Sequence, residues 1–186
     1  MQICLFGTCV LSESYPVNLV LLKGLKEVDV EVVECREELW QGFLHQAMAG
    51  GLGGLLRLGG RAVRQYLKLL WRYWRSDVHG VVLVGYPGYI DIVLARLLNL
   101  FSNRLLVLVS FISLYDTAVE DRGQIAAGNL RARLLYAVDR LAFRCADRVL
   151  VDTEQLAVYY AELFRLPAAK FHKSLVGNVF GEFAPA

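Results

Sequence analysis

The sequence lacks the short motifs that most often reveal a nucleotide or metal site. The turn after the first apolar run reads GTCVLS, which matches neither the GxGxxG dinucleotide fingerprint nor the GxxxxGK[ST] phosphate loop. The histidines are scattered at His45, His79 and His172, and the cysteines show no CxxC or zinc-type spacing. We therefore predict that the chain itself holds no metal and no cofactor.

Long uncharged apolar runs are missing as well. No stretch reaches the roughly 18 residues that a membrane-spanning helix needs, and no basic segment precedes the first apolar run. We therefore expect neither a transmembrane span nor a secretory signal, and we predict a cytoplasmic protein. In a reducing compartment the cysteines are expected to be buried thiols: Cys4, Cys9, Cys35 and Cys145.

The net charge is small, because 20 Lys and Arg residues nearly balance 18 Asp and Glu residues to give +2. A general electrostatic attraction does not support a nucleic-acid partner. The composition is 56% hydrophobic and 20% charged, which excludes a disordered chain. The 186 residues suffice for one domain with a substantial core, and the mean hydropathy of +0.41 predicts that some surface is apolar.

Short apolar runs alternate with stretches of helical periodicity along the chain. This alternation is typical of parallel βαβ units. We predict an α/β fold, a Rossmann-like doubly wound parallel sheet of about six strands with helices on both faces. The domain is expected to span 1–176, and 177–186 is predicted to be a linker. The strands are expected at 2–6, 30–33, 81–84, 105–109, 148–151 and 171–176, and the helices at 16–27, 55–75, 90–100, 129–146 and 154–164.

Ligands of open parallel sheets bind beyond the carboxyl ends of the strands. Gly7 and Thr8 follow the first strand, where a glycine permits close approach of a ligand to the backbone, although a plain turn explains it equally well. Tyr86 and Tyr89 flank Pro87 after the third strand. These tyrosines either stack on the face of a sugar or isoprenoid, or cap the core.

A polar loop is predicted at 110–128, directly after the fourth strand. A sugar acceptor needs a carboxylate to accept its hydroxyl proton, together with groups that bind its other hydroxyls. Arg122 either holds a phosphate or pairs with Asp121, and a solvated loop without a function is the alternative. Asp116 or Asp121 can supply this carboxylate, and Asp116 is the catalytic candidate. The acceptor-binding candidates of this loop are Ser113, Tyr115, Asp121 and Arg122.

The segment 55–75 combines a cationic stripe with an otherwise apolar helix. At about 100° per residue its basic residues fall on one narrow stripe, and the segment contains no acidic residue. One interpretation is a crossover helix with a solvated cationic face. The other is an interfacial helix that binds an anionic membrane, entered through flexible glycines at Gly50, Gly51, Gly53 and Gly54. The membrane-surface candidates are Arg57, Arg61, Arg64, Lys68, Trp71, Arg72, Trp74 and Arg75.

Several stretches together resemble the family-4 bacterial glycosyltransferases of the GT-B fold. The opening GTCVLSESYPVNLVLLKGLKEVDVEVVEC is similar to the first βαβ unit of that family. The strings VVLVGYPGYIDIVLARLL and FISLYDTAVEDRG resemble its third and fourth strand exits. The stretch DRLAFRCADRVLVDTEQLAVYYAELFRLPAAKF resembles the end of its acceptor-side domain, and LVGNVFGEFAP is similar to the junction with its second domain.

The resemblance implies the N-terminal, acceptor-binding domain of an enzyme that transfers a sugar from a nucleotide-sugar to an acceptor, including a membrane- or lipid-linked acceptor. Gly7 and Thr8 would lie near the donor phosphates, and the 113–122 loop would line the acceptor site. The donor would bind mainly to a second domain outside this sequence, so the chain alone is expected to be inactive. The alternatives are a non-catalytic membrane-anchoring subunit of a split glycosyltransferase and a small nucleotide binder. A homodimer and a peripheral position on the inner membrane face are further expectations.

Overall fold

The computed structural model describes residues 2–11, 16–37, 39, 51–76 and 80–174, with the side chains of 51–58 excepted. Parallel strands form a six-stranded sheet in the order β2-β1-β3-β4-β5-β6, which confirms the predicted Rossmann-like fold. The strands are β1 (Gln2–Gly7), β2 (Glu31–Arg36), β3 (Val81–Val84), β4 (Leu105–Val109), β5 (Arg148–Val151) and β6 (Phe171–Lys173).

Helices connect the successive strands. Because the strands are parallel, each connection must cross from the carboxyl edge of the sheet back to its amino edge. A 3₁₀ turn at Asn99–Phe101 follows the third helix, and another at Ala168–Lys170 precedes β6. The helices are α1 (Pro16–Glu27), α2 (Gly51–Arg75), α3 (Tyr89–Leu98), α4 (Leu130–Cys145) and α5 (Glu154–Leu163).

The two faces of the sheet carry different sets of helices. Alternate residues of the central strands, such as Phe6 and Leu108, join the core built with α2, α3, α4 and α5. The intervening residues, such as Leu5 and Val107, pack on the other face with Leu22 of α1. This alternation follows from the two-residue period of a strand. The helical layer over the first face is the broader one.

Several predicted boundaries are wrong. The second strand is Glu31–Arg36 and ends later than expected. The second helix begins at Gly51, so Gly51, Gly53 and Gly54 belong to the helix and do not form the predicted flexible segment before it. Gly50, the C-terminal part of the predicted last strand and the predicted linker lie outside the described residues. Glycine disfavours a helix by about 1 kcal/mol per residue, a preference that context can override.

The predicted 110–128 loop is also partly helical, because Asp116–Asp121 forms a π-helical turn. Its widening is visible in the hydrogen bond from the Arg122 N–H to the Thr117 carbonyl, at 3.0 Å. The sequence prediction missed this turn because it lacks a clear apolar periodicity. Short π-helical turns are frequent at functional sites.

Candidate functional site

The strand order reverses between β1 and β3, so the carboxyl ends of these strands form the switch point of the sheet. Gly7 ends β1 with φ of +123°, a conformation that side chains rarely adopt. A Cβ at this position would lie 2.6 Å from Asp91 Oδ2. The glycine therefore makes room for Asp91, a residue of α3, at the place where the sequence predicts close approach by a ligand.

Asp91 receives hydrogen bonds from three donors. The Thr8 N–H and hydroxyl donate to Oδ2 at 2.7 and 2.9 Å, and the Tyr66 hydroxyl donates to Oδ1 at 2.9 Å. Burial raises the pKa of Asp91, while the bonds from Thr8 and Tyr66 act to lower it. The predicted phosphate contacts at Gly7 and Thr8 thus meet a buried carboxylate, which already binds the donors that a phosphate would use.

Asn18, buried in the first turn of α1, ties the first and third strand exits together. Its side-chain amide donates to the Val10 and Tyr86 carbonyls, and its Oδ1 accepts the Tyr86 N–H at 2.8 Å. The peptide between Tyr86 and Pro87 is cis. This bridge holds the turn after β3 against the turn after β1.

A second buried carboxylate, Asp139 of α4, fixes the segment that follows β4. Its Oδ2 accepts the Ser113 hydroxyl at 2.7 Å and the Tyr115 N–H at 2.8 Å. The Ser113 N–H in turn donates to the Tyr160 hydroxyl at 3.0 Å. Burial raises the pKa of Asp139 to about 6, against the opposing effect of its hydrogen bonds. Asp139 and Ser113 therefore fix the position of the π-helical turn from the buried side of the segment.

The π-helical turn carries carboxylates that line an open cleft of about 400 Å³ at the ends of β4 and β5. Asp116 Oδ1 accepts the Tyr159 hydroxyl at 2.8 Å, and Glu120 accepts the Tyr115 hydroxyl at 3.3 Å. The cleft combines acidic and hydroxyl groups with an apolar wall. Its described lining residues are Phe111, Ile112, Asp116, Thr117, Glu120, Asp121, Leu156 and Tyr160.

The structure brings some of the predicted site residues together and separates others. Asp116 and Asp121 share the cleft, and Arg122 is exposed beside it without lining it. Tyr89 and Ser113 are buried, and Tyr89 donates its hydroxyl to the Ile112 carbonyl. Because neither side chain lines this cleft, a direct contact with an acceptor bound there requires a change in structure.

Tyr86 and Tyr115 are half-buried and differ in their neighbours. Tyr86 packs edge-to-face on Tyr89 with ring centroids 6.4 Å apart, while Tyr115 packs edge-to-face on Tyr136 at 5.4 Å. For Tyr86 and Tyr89, the interpretation as a cap on the core describes the observed packing. Stacking on a sugar remains a prediction for the exposed part of Tyr86.

Sequence reasoning missed Asp91, Asp139 and Asn18, which are all buried. A signal was present for the two acids, because each is the sole acidic residue of its helix: YIDIVLARLL and LRARLLYAVDRLAFRC. A lone carboxylate needs a hydrogen-bonding partner when its helix buries it. Asn18 carried no comparable signal, since asparagine is common near helix starts.

The outer face of α2 forms a second candidate site. Leu69 and Tyr73 pack on the sheet. At about 100° per residue, one flank of the opposite side carries the exposed apolar residues Leu67, Trp71 and Trp74, and the other flank carries the cations. We call this opposite side the α2 surface. Its described cations are Arg61, Arg64, Lys68, Arg72 and Arg75, whereas the Arg57 side chain lies outside the described part.

The cations of the α2 surface differ in their contacts with other side chains. Arg72 pairs with Glu37 at 3.3 Å and donates to the Arg36 carbonyl, so one charge of the stripe is partly neutralised from outside the helix. Arg75 lies over the Trp71 ring at 4.7 Å. Trp74 is 89% exposed. The helix is thus a crossover helix packed on the sheet whose outer side exposes both cations and large apolar side chains.

Within the described ranges, no helix is long and apolar enough to cross a bilayer. The same part of the chain contains no cluster of three or more His, Cys, Asp or Glu side chains suited to a metal ion. The cysteines are free thiols; Cys4, Cys9 and Cys35 are buried and Cys145 is half-buried. All four were predicted to be buried; the prediction is confirmed for Cys4, Cys9 and Cys35 and is wrong for Cys145, which is half-buried.

The sheet order and the parallel crossovers define the class of the protein: an α/β domain of Rossmann-like architecture. No protein-family model matches the chain, and no curated protein matches it at a significant level. The fold class is therefore established by the structure, and the function must be argued from the site.

Proposed function

We propose that this chain is the acceptor-side domain of a glycosyltransferase, which works with a nucleotide-sugar-binding domain outside this sequence at the surface of a membrane. The acidic cleft at the carboxyl ends of β4 and β5 is the observation that carries the proposal. Carboxylates and hydroxyls that converge on an open cleft suit a neutral polyhydroxy acceptor. The resemblance to family-4 glycosyltransferases supports the same location for the acceptor.

Asp116 is the residue that we assign to the acceptor hydroxyl. Tyr159 donates to its Oδ1 at 2.8 Å, which stabilises the carboxylate and fixes its orientation. An acceptor hydroxyl would then donate to Oδ2 and be held in line for attack on the sugar. The π-helical turn keeps Asp116 at this position, because the Asp116 N–H donates to Ser113 Oγ at 3.0 Å.

The catalytic assignment is tested in the chain joined to its donor-binding domain. Asp116→Asn should lower kcat by about 100-fold or more, because amide nitrogen and oxygen cannot accept the proton. Asp29→Asn is the matched control, since Asp29 is exposed in the turn before β2, and asparagine tolerates its φ of 55°. Equal turnover by wild type and Asp116→Asn would remove Asp116 from the site.

The absence of a donor site in this chain is tested with the chain alone. We expect calorimetry with uridine, guanosine and adenosine diphosphates to give no saturable heat, because Asp91 occupies the donors of the first strand exit. Saturable binding of one nucleotide, lost in a Gly7→Ala variant that still folds, would favour a nucleotide-binding domain instead.

The α2 surface is our proposed membrane contact. Its exposed tryptophans suit the interface of a bilayer, and each cation contributes about 1 kcal/mol near an anionic surface. Arg61, Arg64 and Lys68 are the cations to change, since Arg72 is partly neutralised by Glu37. The surface lies on a helix whose packing on the sheet uses its other side.

Co-sedimentation with vesicles of phosphatidylglycerol and phosphatidylcholine tests this contact. Wild type should bind, with an affinity that salt reduces, and the Arg61→Glu, Arg64→Glu, Lys68→Glu triple variant should bind much more weakly. The matched control reverses Lys23, Arg148 and Arg165, which are exposed on elements other than α2, α3 and α4. Unchanged sedimentation of the first triple variant would reject the role of the α2 surface.

A further inference from the structure

An apolar groove of about 460 Å³ lies over the outward side of α3. Tyr66 and Leu70 of α2 form one wall, and Val138 and Leu141 of α4 form the other. The floor is α3 itself, from Tyr89 to Leu97. All described residues that line the groove are apolar or aromatic. We call it the α3 groove.

The polar atoms of its two tyrosines point away from the α3 groove. The Tyr66 hydroxyl donates to Asp91 Oδ1 at 2.9 Å, and the Tyr89 hydroxyl donates to the Ile112 carbonyl. Both rings therefore offer carbon surface to the groove while their hydroxyls are satisfied inside the protein. A ligand in the groove gains by burying hydrocarbon and has few hydrogen bonds to satisfy.

The α3 groove is open to water, and its rim is apolar. Ile90 and Leu97 are each 57% exposed. An apolar surface of this kind on a folded domain marks a binding site for another apolar group. Its shape, a channel along one helix between two others, suits an extended hydrocarbon chain.

The exposed charges of the three helices around the α3 groove have one sign. On the described parts of α2, α3 and α4, every exposed or half-exposed charged side chain is Lys or Arg. The two acids of these helices, Asp91 and Asp139, are buried and turned inward. The ligand that complements this face is therefore both apolar and anionic.

A cationic pocket of about 480 Å³ adjoins the α3 groove across Leu141, which lines both. Arg96, Arg140 and Arg144 line this pocket. Arg96 is held by Asp147 and the Cys145 carbonyl, and the Arg140 Nε donates to the Phe164 carbonyl at 3.0 Å. Arg144 is exposed. The pocket therefore presents guanidinium groups beside an apolar channel.

Lys170 also favours an anion at the C-terminal end of α4. The last carbonyls of a helix carry a partial negative charge that would repel a phosphate. Lys170 donates to the carbonyls of Phe143, Arg144 and Ala146, at 3.0, 3.1 and 2.7 Å. The lysine therefore offsets this negative charge next to the cationic pocket.

We infer that the α3 groove and the adjoining arginine pocket bind one anionic membrane lipid, with a hydrocarbon chain in the groove and its phosphate against Arg140 and Arg144. This site goes beyond the proposed sugar transfer. Arg144 lies at the amino edge of the sheet, just before β5, whereas the acidic cleft lies at the carboxyl edge. The lipid is thus an anchor, and the acceptor binds elsewhere.

Decyl phosphate below its micellar concentration is the probe for this site. Calorimetry with the 186-residue chain should give saturable binding of one molecule, weaker for decanol and for decyltrimethylammonium. Across octyl, decyl and dodecyl phosphate, each added methylene should tighten binding about two- to fourfold, as burial of hydrocarbon predicts. The methyl resonances of Ile90 and Leu97 should shift, and that of Val158 should not.

Variants separate the two halves of the site. Leu97→Gln should weaken decyl phosphate about three- to tenfold, whereas Val158→Gln, at a similarly exposed position on α5, should leave it unchanged. Arg144→Gln should weaken decyl phosphate about two- to fivefold at low salt without affecting decanol. Arg133→Gln is its control, because Arg133 is exposed on α4 and lines neither pocket.

Four results would each overturn the inference. Inorganic phosphate that binds as tightly as decyl phosphate would reduce the site to an anion pocket. Equal affinities for decyl phosphate, decanol and decyltrimethylammonium would show that the arginines do not contribute to the site. Uptake that never saturates, or equal losses in Leu97→Gln and Val158→Gln, would replace a site with general partitioning. None of these measurements depends on sugar transfer.

Discussion

The carboxyl edge of the sheet and the outer side of α2, α3 and α4 differ in how far contacts within the protein satisfy their side chains. At the carboxyl edge, the buried carboxylates of Asp91 and Asp139 bind donors from several other elements. On the helical side, the outer side of α2, α3 and α4, large apolar groups such as Trp74 face water beside exposed cations. The first region is fixed by its own contacts, whereas the second lacks contacts that a lipid would supply.

The difference predicts where substitutions affect folding and where they affect binding. Changes at the carboxyl edge should lower the free energy of unfolding, because each removes a partner from a buried polar group. Changes on the helical side should leave folding nearly unaltered and weaken lipid binding.

Gly7→Ala should lower the free energy of unfolding by about 3 kcal/mol or more, measured by urea denaturation. The added Cβ would lie 2.6 Å from Asp91 Oδ2 at a φ of +123°. Gly24→Ala is the matched control, because nothing lies within 4 Å of its Cβ on the exposed side of α1. That variant should gain about 0.5–1 kcal/mol. Equal effects would contradict the tight fit at Asp91.

Asp139→Asn should change the pH dependence of stability. The folded-state pKa of Asp139, about 6, exceeds its ordinary value of 3.8, so protonation is favoured in the folded state. The contribution of Asp139 to the free energy of unfolding is therefore complete below about pH 4 and is lost as the pH rises through about 6. The free energy of unfolding falls by about 3 kcal/mol over this range. Thermal unfolding of wild type and Asp139→Asn at several pH values checks this. Parallel curves would contradict the desolvation of Asp139.

Tyr66→Phe should cost about 2 kcal/mol of unfolding free energy, because it removes a donor from a buried carboxylate. Tyr136→Phe removes a bond to a neutral acceptor, the Leu163 carbonyl, and should cost about 1 kcal/mol. The comparison is made by urea denaturation at neutral pH. A larger loss in Tyr136→Phe would argue that Asp91 is not charged there.

Trp74→Ser should change the free energy of unfolding by less than about 0.5 kcal/mol, because its side chain is 89% exposed. Its sedimentation with anionic vesicles should nevertheless fall. Val28→Ser, an exposed position in the turn after α1, is expected to alter neither quantity. A marked loss of stability in Trp74→Ser would show that this side chain stabilises the fold and would contradict its assignment to the membrane contact.

The sheet could be predicted from the sequence because each strand is a short apolar run between helical stretches. The cationic stripe could be predicted for a similar reason, since helical spacing fixes which residues share a side. The π-helical turn at Asp116 could not, because it depends on Ser113 and Asp139, which are far apart in sequence. The position of Asp91 beside Gly7 likewise follows from the strand order and not from a local pattern.

Hydrogen–deuterium exchange with and without vesicles of phosphatidylglycerol and phosphatidylcholine tests the division between the two regions most directly. We predict that vesicles slow exchange in α2, α3 and α4 and leave the carboxyl-edge segments 7–11, 85–88 and 110–123 unchanged. Protection confined to those carboxyl-edge segments, or spread evenly over the domain, would contradict the assignment of the helical side to lipid and of the carboxyl edge to chemistry.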